Sequence, residues 1–285
     1  NVDINTNNSA LNIKGDINAN GGSITVDSGK ATGVIAGDVS ASNGGSVEIS
    51  LNDAKSSLTG SYRVDDSSSI VMNIANGATW NLTDDDDDAE GMSLFRMAKA
   101  PAAAPVAGLT VNGGATKAET GYIDMTKRTQ KLDIANFSGH ETFIMAHKDD
   151  GTFTSGNVNI AKAAAGSGLT LYTANNGIDM TNKEQVTNTL KALAQKAIYA
   201  EGNDADNGKN LTGEVKIGEG LTSSSAKSGL ISFKDKTGAL VNGSIQWEPT
   251  IETGDYETFV MKGARSAVTT SFHSWRDNMQ DTYTG

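Results

Sequence analysis

The chain has 285 residues, with 23 Lys and Arg against 34 Asp and Glu, a net charge of −11 and no cysteine. The lack of cysteine excludes disulfide scaffolds and thiolate metal sites, and the acidic balance excludes nucleic acid as an expected partner. No apolar run approaches about 20 residues, so we expect no direct membrane insertion. The chain begins at Asn1 without Met or a signal peptide, which we interpret as a mature fragment.

The first third of the chain carries a repeat. Strand-like segments centred on Ile24, Val47 and Ile70 follow one another at steps of 23 residues, and a second series at Ile35 and Leu58 keeps the same step. Each unit alternates apolar and polar residues and then turns at Gly, Asn or Asp. No unit has enough apolar surface to fold alone, so neighbouring units must stack.

This repeat predicts an all-β fold, a right-handed parallel β-helix (solenoid) with a period of about 23 residues. Its coils would pair in parallel about 4.8 Å apart. The competing all-β interpretation is a sandwich, which predicts hairpin turns and no strict repeat.

Carboxylates recur at one position of the repeat, at Asp16 and Asp38, whereas the third unit has Ser61 there. Clustered carboxylates are typical of polysaccharide-active enzymes, so such an enzyme is one alternative. A turn-forming role is the simpler interpretation because the series ends in Ser61. We find no catalytic constellation and predict no enzyme activity and no cofactor.

The three histidines, His140, His147 and His273, lie in no metal-ligand spacing, and we predict two surface residues in strand regions and one helix residue.

Residues 83–108 interrupt the strand pattern with an acidic run and a Pro/Ala-rich stretch. The run consists of Asp84, Asp85, Asp86, Asp87 and Asp88. Carboxylate oxygens suit calcium, which makes the run a weak candidate calcium loop. The alternative is a solvated acidic loop. The apolar residues that follow, Met92, Leu94, Phe95 and Met97, would pack on the coils or contact a partner.

A helix is predicted at about residues 181–200, after further strand-like segments. Thr181 and Glu184 form a capping box. The residues of its apolar face are Val186, Leu190, Leu193, Ala194, Ala197 and Ile198. We expect this helix to be an insertion packed against the flank of the coils, with a partner-binding helix as the alternative.

The segment 121–177 resembles the C-terminal passenger region of classical monomeric (type V) autotransporters, of the pertactin-like autochaperone type. The resemblance rests on "KLDIANFSGHETFIMAHKDDG" followed by "GNVNI" and "GLTLYTANNG". Matching positions include Leu132, Ile134, Phe137 and Phe143. "GATWNL" upstream is similar to a recurring Trp-containing coil of that family.

The end of the chain, residues 256–285, resembles the linker helix that leads into the translocator barrel of these proteins. One helix face is predicted from residues that follow one another at steps of three or four: Met261, Ala264, Val268, Phe272, Trp275 and Met279. The usual continuation into a barrel is missing from this chain, which stops at Gly285.

The resemblance implies three regions: β-helix coils over 1–120, an autochaperone-like region over 121–255, and the linker helix over 256–285. It implies a passenger exported to the bacterial cell surface through its own C-terminal β-barrel translocator. We expect an adhesin or self-association protein that binds a host-surface, matrix or bacterial-surface ligand, or alternatively a stalk that displays a missing N-terminal domain. The residues assigned to folding and secretion are Leu132, Ile134, Phe137, Phe143, Trp247, Phe272 and Trp275.

Overall fold

The computed structural model describes residues 1–86, 107–180, 182–199, 210–227, 231–241 and 244–251, without the side chains of 183, 231–241 and 244–251. In residues 1–82 the strands are β1 (Val2–Asn5), β2 (Leu11–Lys14), β3 (Ile17–Asn20), β4 (Ser23–Asp27), β5 (Gly33–Ala36), β6 (Val39–Ser42), β7 (Ser46–Leu51), β8 (Ser57–Gly60), β9 (Tyr62–Val64), β10 (Ser69–Ile74) and β11 (Thr79–Leu82). The later strands are β12 (Gly108–Asn112), β13 (Gly121–Asp124), β14 (Leu132–Ser138), β15 (His140–Met145), β16 (Val158–Ala163), β17 (Ser167–Ala174), β18 (Ala197–Tyr199), β19 (Leu211–Gly218), β20 (Ile231–Val241) and β21 (Ser244–Ile251). The described α-helices are α1 (Lys183–Ala194) and α2 (Ser223–Lys227), and a 3-10 turn covers Lys117–Glu119.

The strands pair in parallel, in three series. The first series is β1, β4, β7, β10, β12, β14, β16 and β18. The second is β2, β5, β8, β11, β13, β15, β17 and β19, and the third is β3, β6 and β9. The chain is therefore an all-β protein built mostly from parallel pairs, and the antiparallel sandwich alternative is wrong for these strands.

The pairing register is the one that the repeat predicts. Ile24 lies opposite Val47, and Val47 lies opposite Ile70. In the second series Ile35 lies opposite Leu58. Identical steps along the sequence thus become direct neighbours across the sheet, because a parallel ladder places equivalent residues of successive units side by side.

Alternate residues of the strands face one apolar interior. In β10, Ile70, Met72 and Ile74 are buried, as expected for a pleat that turns every second side chain inward. Trp80 of β11 is fully buried in the same interior, and its indole N–H donates a 3.1 Å hydrogen bond to the carbonyl of Gly60. The rings of Tyr62 and Trp80 pack edge to face, with 5.8 Å between their centroids.

The parallel order ends after β19. β20 pairs antiparallel with both β19 and β21. Only two residues, Asn242 and Gly243, connect β20 to β21, and a parallel pair needs a crossover of a dozen residues or more. β20 and β21 therefore do not continue the parallel stack.

The predicted helix is shorter than its apolar pattern suggested. α1 covers Lys183–Ala194, and the chain then returns to strand β18. Val186, Leu190 and Leu193 are buried in the core, as the packed-insertion interpretation requires. Ala197 and Ile198, assigned to the helix face, lie instead in β18, because this segment pairs in parallel with β16.

The predicted capping box is also wrong in its residues. The N-cap of α1 is Asn182, whose side-chain oxygen accepts the backbone N–H of Gln185 at 3.2 Å. The Gln185 side-chain oxygen accepts the backbone N–H of Asp179 at 2.7 Å. Thr181 lies outside the described residues.

We expect Asn182→Ala to lower the free energy of unfolding by about 1 kcal/mol, because an N-cap side chain satisfies a helix N–H that otherwise has no partner. Glu184→Gln should change it by less than about 0.5 kcal/mol. Urea denaturation followed by circular dichroism measures both. A larger loss for Glu184→Gln than for Asn182→Ala would contradict the observed cap.

Candidate binding faces of the parallel sheets

A ladder of uncharged polar side chains follows the outer face of the first series. Asn73 donates to the Ser50 hydroxyl at 2.9 Å, and Asn112 donates to the side-chain oxygen of Asn73 at 2.7 Å. The Ser138 hydroxyl in turn donates to Asn112 at 2.6 Å. These residues come from β7, β10, β12 and β14, so the parallel register itself aligns them. Asn73 also donates to the carboxylate of Glu48 at 2.9 Å, so this face carries a charged group beside the uncharged ones. Such a face offers further hydrogen-bonding groups to a ligand.

The recurring carboxylates act in the turns. Asp16 accepts the backbone N–H of Asp38 at 2.9 Å, and Asp38 accepts the backbone N–H of Ser61 at 2.8 Å. Each carboxylate therefore caps the turn of the next unit. The turn-forming interpretation of this position is confirmed.

The first residues of the acidic run make hydrogen bonds and an ion pair with other parts of the chain, among them the segment before β14. Asp84 accepts the backbone N–H groups of Thr129 and Gln130 and the Thr129 hydroxyl at 2.7–2.9 Å. These hydrogen bonds, although opposed by partial desolvation, hold the pKa of Asp84 below its ordinary value. Arg63 forms a two-point ion pair with Asp85, with a shortest distance of 2.8 Å.

Asp84 and Asp85 thus use their carboxylates for internal contacts. Asp87 and Asp88 lie outside the described residues, as do Met92, Leu94, Phe95 and Met97. Within the part of the chain that is described, no group of three potential metal-ligating side chains lies together.

The residues assigned to folding lie in the core where they are described. Leu132, Ile134, Phe137 and Phe143 are at most 1% exposed. The rings of Phe137 and Phe143 lie 6.4 Å apart, which joins β14 of the first series to β15 of the second. Trp247 lies in β21 opposite Thr237, with its side chain outside the description. Phe272 and Trp275 lie outside the described residues, as does the whole predicted linker helix, 256–285.

Of the two described histidines, His147 differs from the predicted surface residue. His147 is buried, and its ring nitrogens lie 2.7 Å and 2.6 Å from the carbonyl oxygens of Lys148 and Ala174. His140 is half-buried on β15, and its desolvation, with Lys117 nearby, lowers its pKa. His273 lies outside the described residues.

Glu141 is a fully buried carboxyl group that sequence reasoning missed. It lies in β15 on the same side as Phe143 and Met145, because alternate residues share a face. Neither of its carboxyl oxygens has a hydrogen-bond partner of good geometry among the described residues. Burial raises the pKa of Glu141 well above its ordinary value, and the nearby backbone N–H of Gly121 offsets this only in part.

Two glycines make room for this carboxyl group. A Cβ atom on Gly113 would lie 2.7 Å from a Glu141 carboxyl oxygen, and one on Gly121 would lie 2.8 Å from it. The repeated Gly residues of this region therefore surround a polar group, and the pattern "HETF" was the only sign of it in the sequence: a charged residue at an inward position.

A groove of about 790 Å³ lies on the outer face of the second series. Its floor contains Thr142 of β15 and Thr170 of β17, which are paired neighbours. Lys117 of the 3-10 turn and Lys227 of α2 also line this groove. Ala226 of α2 packs on the outward side chains Tyr122, Ile144 and Tyr172, which holds this helix in place.

No family model, curated protein or solved structure matches the chain. Among the residues that the structure describes, no helix is both long and apolar enough to cross a membrane.

Proposed function

We propose that this chain is an exported cell-surface passenger of the autotransporter class whose strand series wind into a right-handed parallel β-helix. The observation that carries the proposal is the parallel register, which runs through eight strands in each of two series. The resemblance of residues 121–177 to autotransporter passengers supports the same class.

Within this proposal the protein acts as an adhesin or self-association protein at the bacterial surface. The Ser50–Asn73–Asn112–Ser138 ladder supports a binding role, because its groups are aligned along the sheet face and preorganised by one another. Its partner in secretion is its own C-terminal β-barrel translocator. The ligand is a host-surface, matrix or bacterial-surface molecule, or a second copy of the chain.

The C-terminal part would nucleate folding as the chain emerges. A stack of similar units grows by adding neighbours to a folded end. A first unit that folds stably outside the cell would therefore favour outward movement of the rest of the chain. The packed pair Phe137 and Phe143, which links the two main series, suits this role.

Export is tested by displaying the chain from a translocator barrel and comparing two equally buried substitutions, Phe143→Asp and Ile49→Asp. Both side chains are fully buried, so each substitution buries an unpaired charge and disrupts its local core. We expect Phe143→Asp to reduce the amount of protease-accessible protein on the cell surface several-fold more than Ile49→Asp. Equal losses of surface-exposed protein for the two variants would contradict the proposed folding role of the C-terminal region.

Adhesion is tested on the same displayed protein. Cells that carry the wild-type chain should aggregate or bind matrix above cells that carry the barrel alone. Replacing Asn73 and Asn112 with Ala should reduce this binding, because it removes the centre of the ladder. Normal export without any binding would favour the stalk interpretation.

A further inference from the structure

A second groove lies at the corner of the stack where the third series of described strands ends. It has a volume of about 480 Å³, with β9 on one side and the first-series strands β14, β16 and β18 on the other. Tyr62 of β9 links the two sides, because its hydroxyl accepts the backbone N–H of Asp133 at 3.1 Å. The groove is therefore part of the packed fold, and its size is one that a small ligand or a few side chains fill.

The charged groups that line this groove have partners within the chain. Arg63 pairs with Asp85 at 2.8 Å, and Lys131 pairs with Asp133 at 3.0 Å. The guanidinium group of Arg128 donates to three backbone carbonyls at 2.9–3.2 Å. Since these charges are already engaged, we do not expect charge to select the occupant of the groove.

The groove offers apolar side chains that are only partly covered. Val64, Ala135 and Ile198 are half-buried, and Ala161 is exposed. They come from β9, β14, β18 and β16, so the stacking of the strands brings them to one site. Removing apolar surface of this kind from water is favourable, and a concave apolar patch is typical of a docking site.

The chain leaves and re-enters the stack at this groove. Asp85 and Gly108 both line it, and residues 87–106, between them, are outside the described part of the chain. The ion pair with Arg63 fixes the exit, and the return is close-packed, since a Cβ atom on Gly108 would lie 3.0 Å from that of Ala135. In the preceding units the same step from the third series to the first takes only residues 21–22, 43–45 and 65–68.

The long connection carries a cluster of large apolar side chains, Met92, Leu94, Phe95 and Met97. A segment anchored at both ends beside the groove meets it at a higher effective concentration than a separate molecule does. This favours the chain's own segment over a second copy as the occupant.

We propose that residues 92–97 bind in this groove, with their apolar side chains on Val64, Ala135, Ala161 and Ile198. The segment then covers the corner of the stack that the third series leaves open. The inference rests on the groove and on the two anchored ends, and it does not depend on export or adhesion.

The first test is limited trypsin digestion of the full chain, because the segment contains cleavage sites after Arg96 and Lys99. A bound segment is cleaved only when it leaves the groove, so the cleavage rate follows the population of that open state. Ala161→Glu places a charge in the groove and should speed cleavage at both sites by about ten-fold. Ala115→Glu is the matched control, since Ala115 is exposed beyond the other end of β12, and it should leave the rate unchanged.

Two results of the digestion would overturn the proposal. One is cleavage of the wild-type chain as fast as that of Ala161→Glu. The other is protection that increases with protein concentration, which would identify a second copy as the occupant. Equal urea midpoints show that the variants remain folded.

A cross-link locates the bound segment independently. The chain has no cysteine, so Ser93→Cys with Ala161→Cys allows one disulfide within a chain, which needs Cβ atoms within about 4.5 Å of each other. We expect a yield about five-fold above that of Ser93→Cys with Ala115→Cys. Adding Phe95→Asp should lower the yield by a similar factor, because a charge replaces a bound apolar ring. Equal yields at the two positions, no effect of Phe95→Asp, or disulfides only between chains would contradict the assignment.

Discussion

Replacing Glu141 with Gln should stabilise the protein at neutral pH, by roughly 2 kcal/mol. Burial raises the pKa of this carboxyl group in the folded protein well above its ordinary value, which disfavours its ionised form. The unfolded chain ionises the same group above about pH 4.5. Between these two pKa values the folded state binds more protons than the unfolded state, so stability is fully present below the unfolded pKa and is lost as the pH rises.

The measurement is the urea midpoint of wild type and Glu141→Gln from pH 4 to pH 8. The two proteins should have similar stability at pH 4, and the variant should gain steadily at higher pH, because Gln does not ionise. Glu184→Gln, on the exposed start of α1, is the control and should follow the wild-type curve. A difference between wild type and Glu141→Gln that does not change with pH would show that the carboxyl group does not titrate on unfolding.

Gly60→Ala should destabilise the protein by about 3–5 kcal/mol. A Cβ atom at Gly60 would lie 2.1 Å from the carbonyl oxygen of Gly37, a backbone atom that no rotamer change can move. The φ angle of +154° also disfavours a residue with a side chain. Since the Gly60 carbonyl accepts the Trp80 indole N–H, displacement of this turn also disturbs the largest buried side chain.

Gly22→Ala is the matched control for this prediction. Its added Cβ atom would meet no heavy atom within 4 Å, and its φ angle is not left-handed. We expect it to change stability by less than about 1 kcal/mol. Because stacked units need not unfold in a single step, the tryptophan fluorescence, to which Trp80 contributes, and the circular dichroism of the whole chain should both be followed. Similar losses for both variants would mean that the close approach at Gly60 is relieved at little cost.

The parallel order of residues 1–82 was predictable because one period governs two series at once. A step of 23 residues that aligns Ile24 with Val47 also aligns Ile35 with Leu58, and the structure pairs both. The turn role of Asp16 and Asp38 was inferred because the third unit has Ser61 at that position, and both carboxylates do accept backbone N–H groups of the next unit. Beyond Leu82 the strict period is lost, and the later strands were recognised by alternation and by resemblance alone.

The wrong helix boundary came from a short sequence pattern that is compatible with both a helix and a strand. Ala197 and Ile198 extend the helical spacing of Val186 and Leu190, but their pairing with β16 makes them a strand. Tertiary pairing overrides local propensity in such short segments. The antiparallel end has a local signal in the sequence, because Asn242-Gly243 between two strand patterns is typical of a two-residue hairpin.

The sequence contains no comparable local signal for the buried Glu141 carboxyl group or for the groove on the second series. The groove is lined by residues that are far apart in the chain, such as Lys117, Lys216 and Lys227. They lie together only because the strands of the second series and α2 pack against one another. Glu141 can be buried because Gly113 and Gly121 leave room for its carboxyl group, and this burial raises its pKa. Periodicity therefore specifies which residues repeat and which side chains turn inward, since both depend on the local backbone. The tertiary structure alone decides charge, burial and shape at the candidate sites, because these depend on residues that meet across distant parts of the chain.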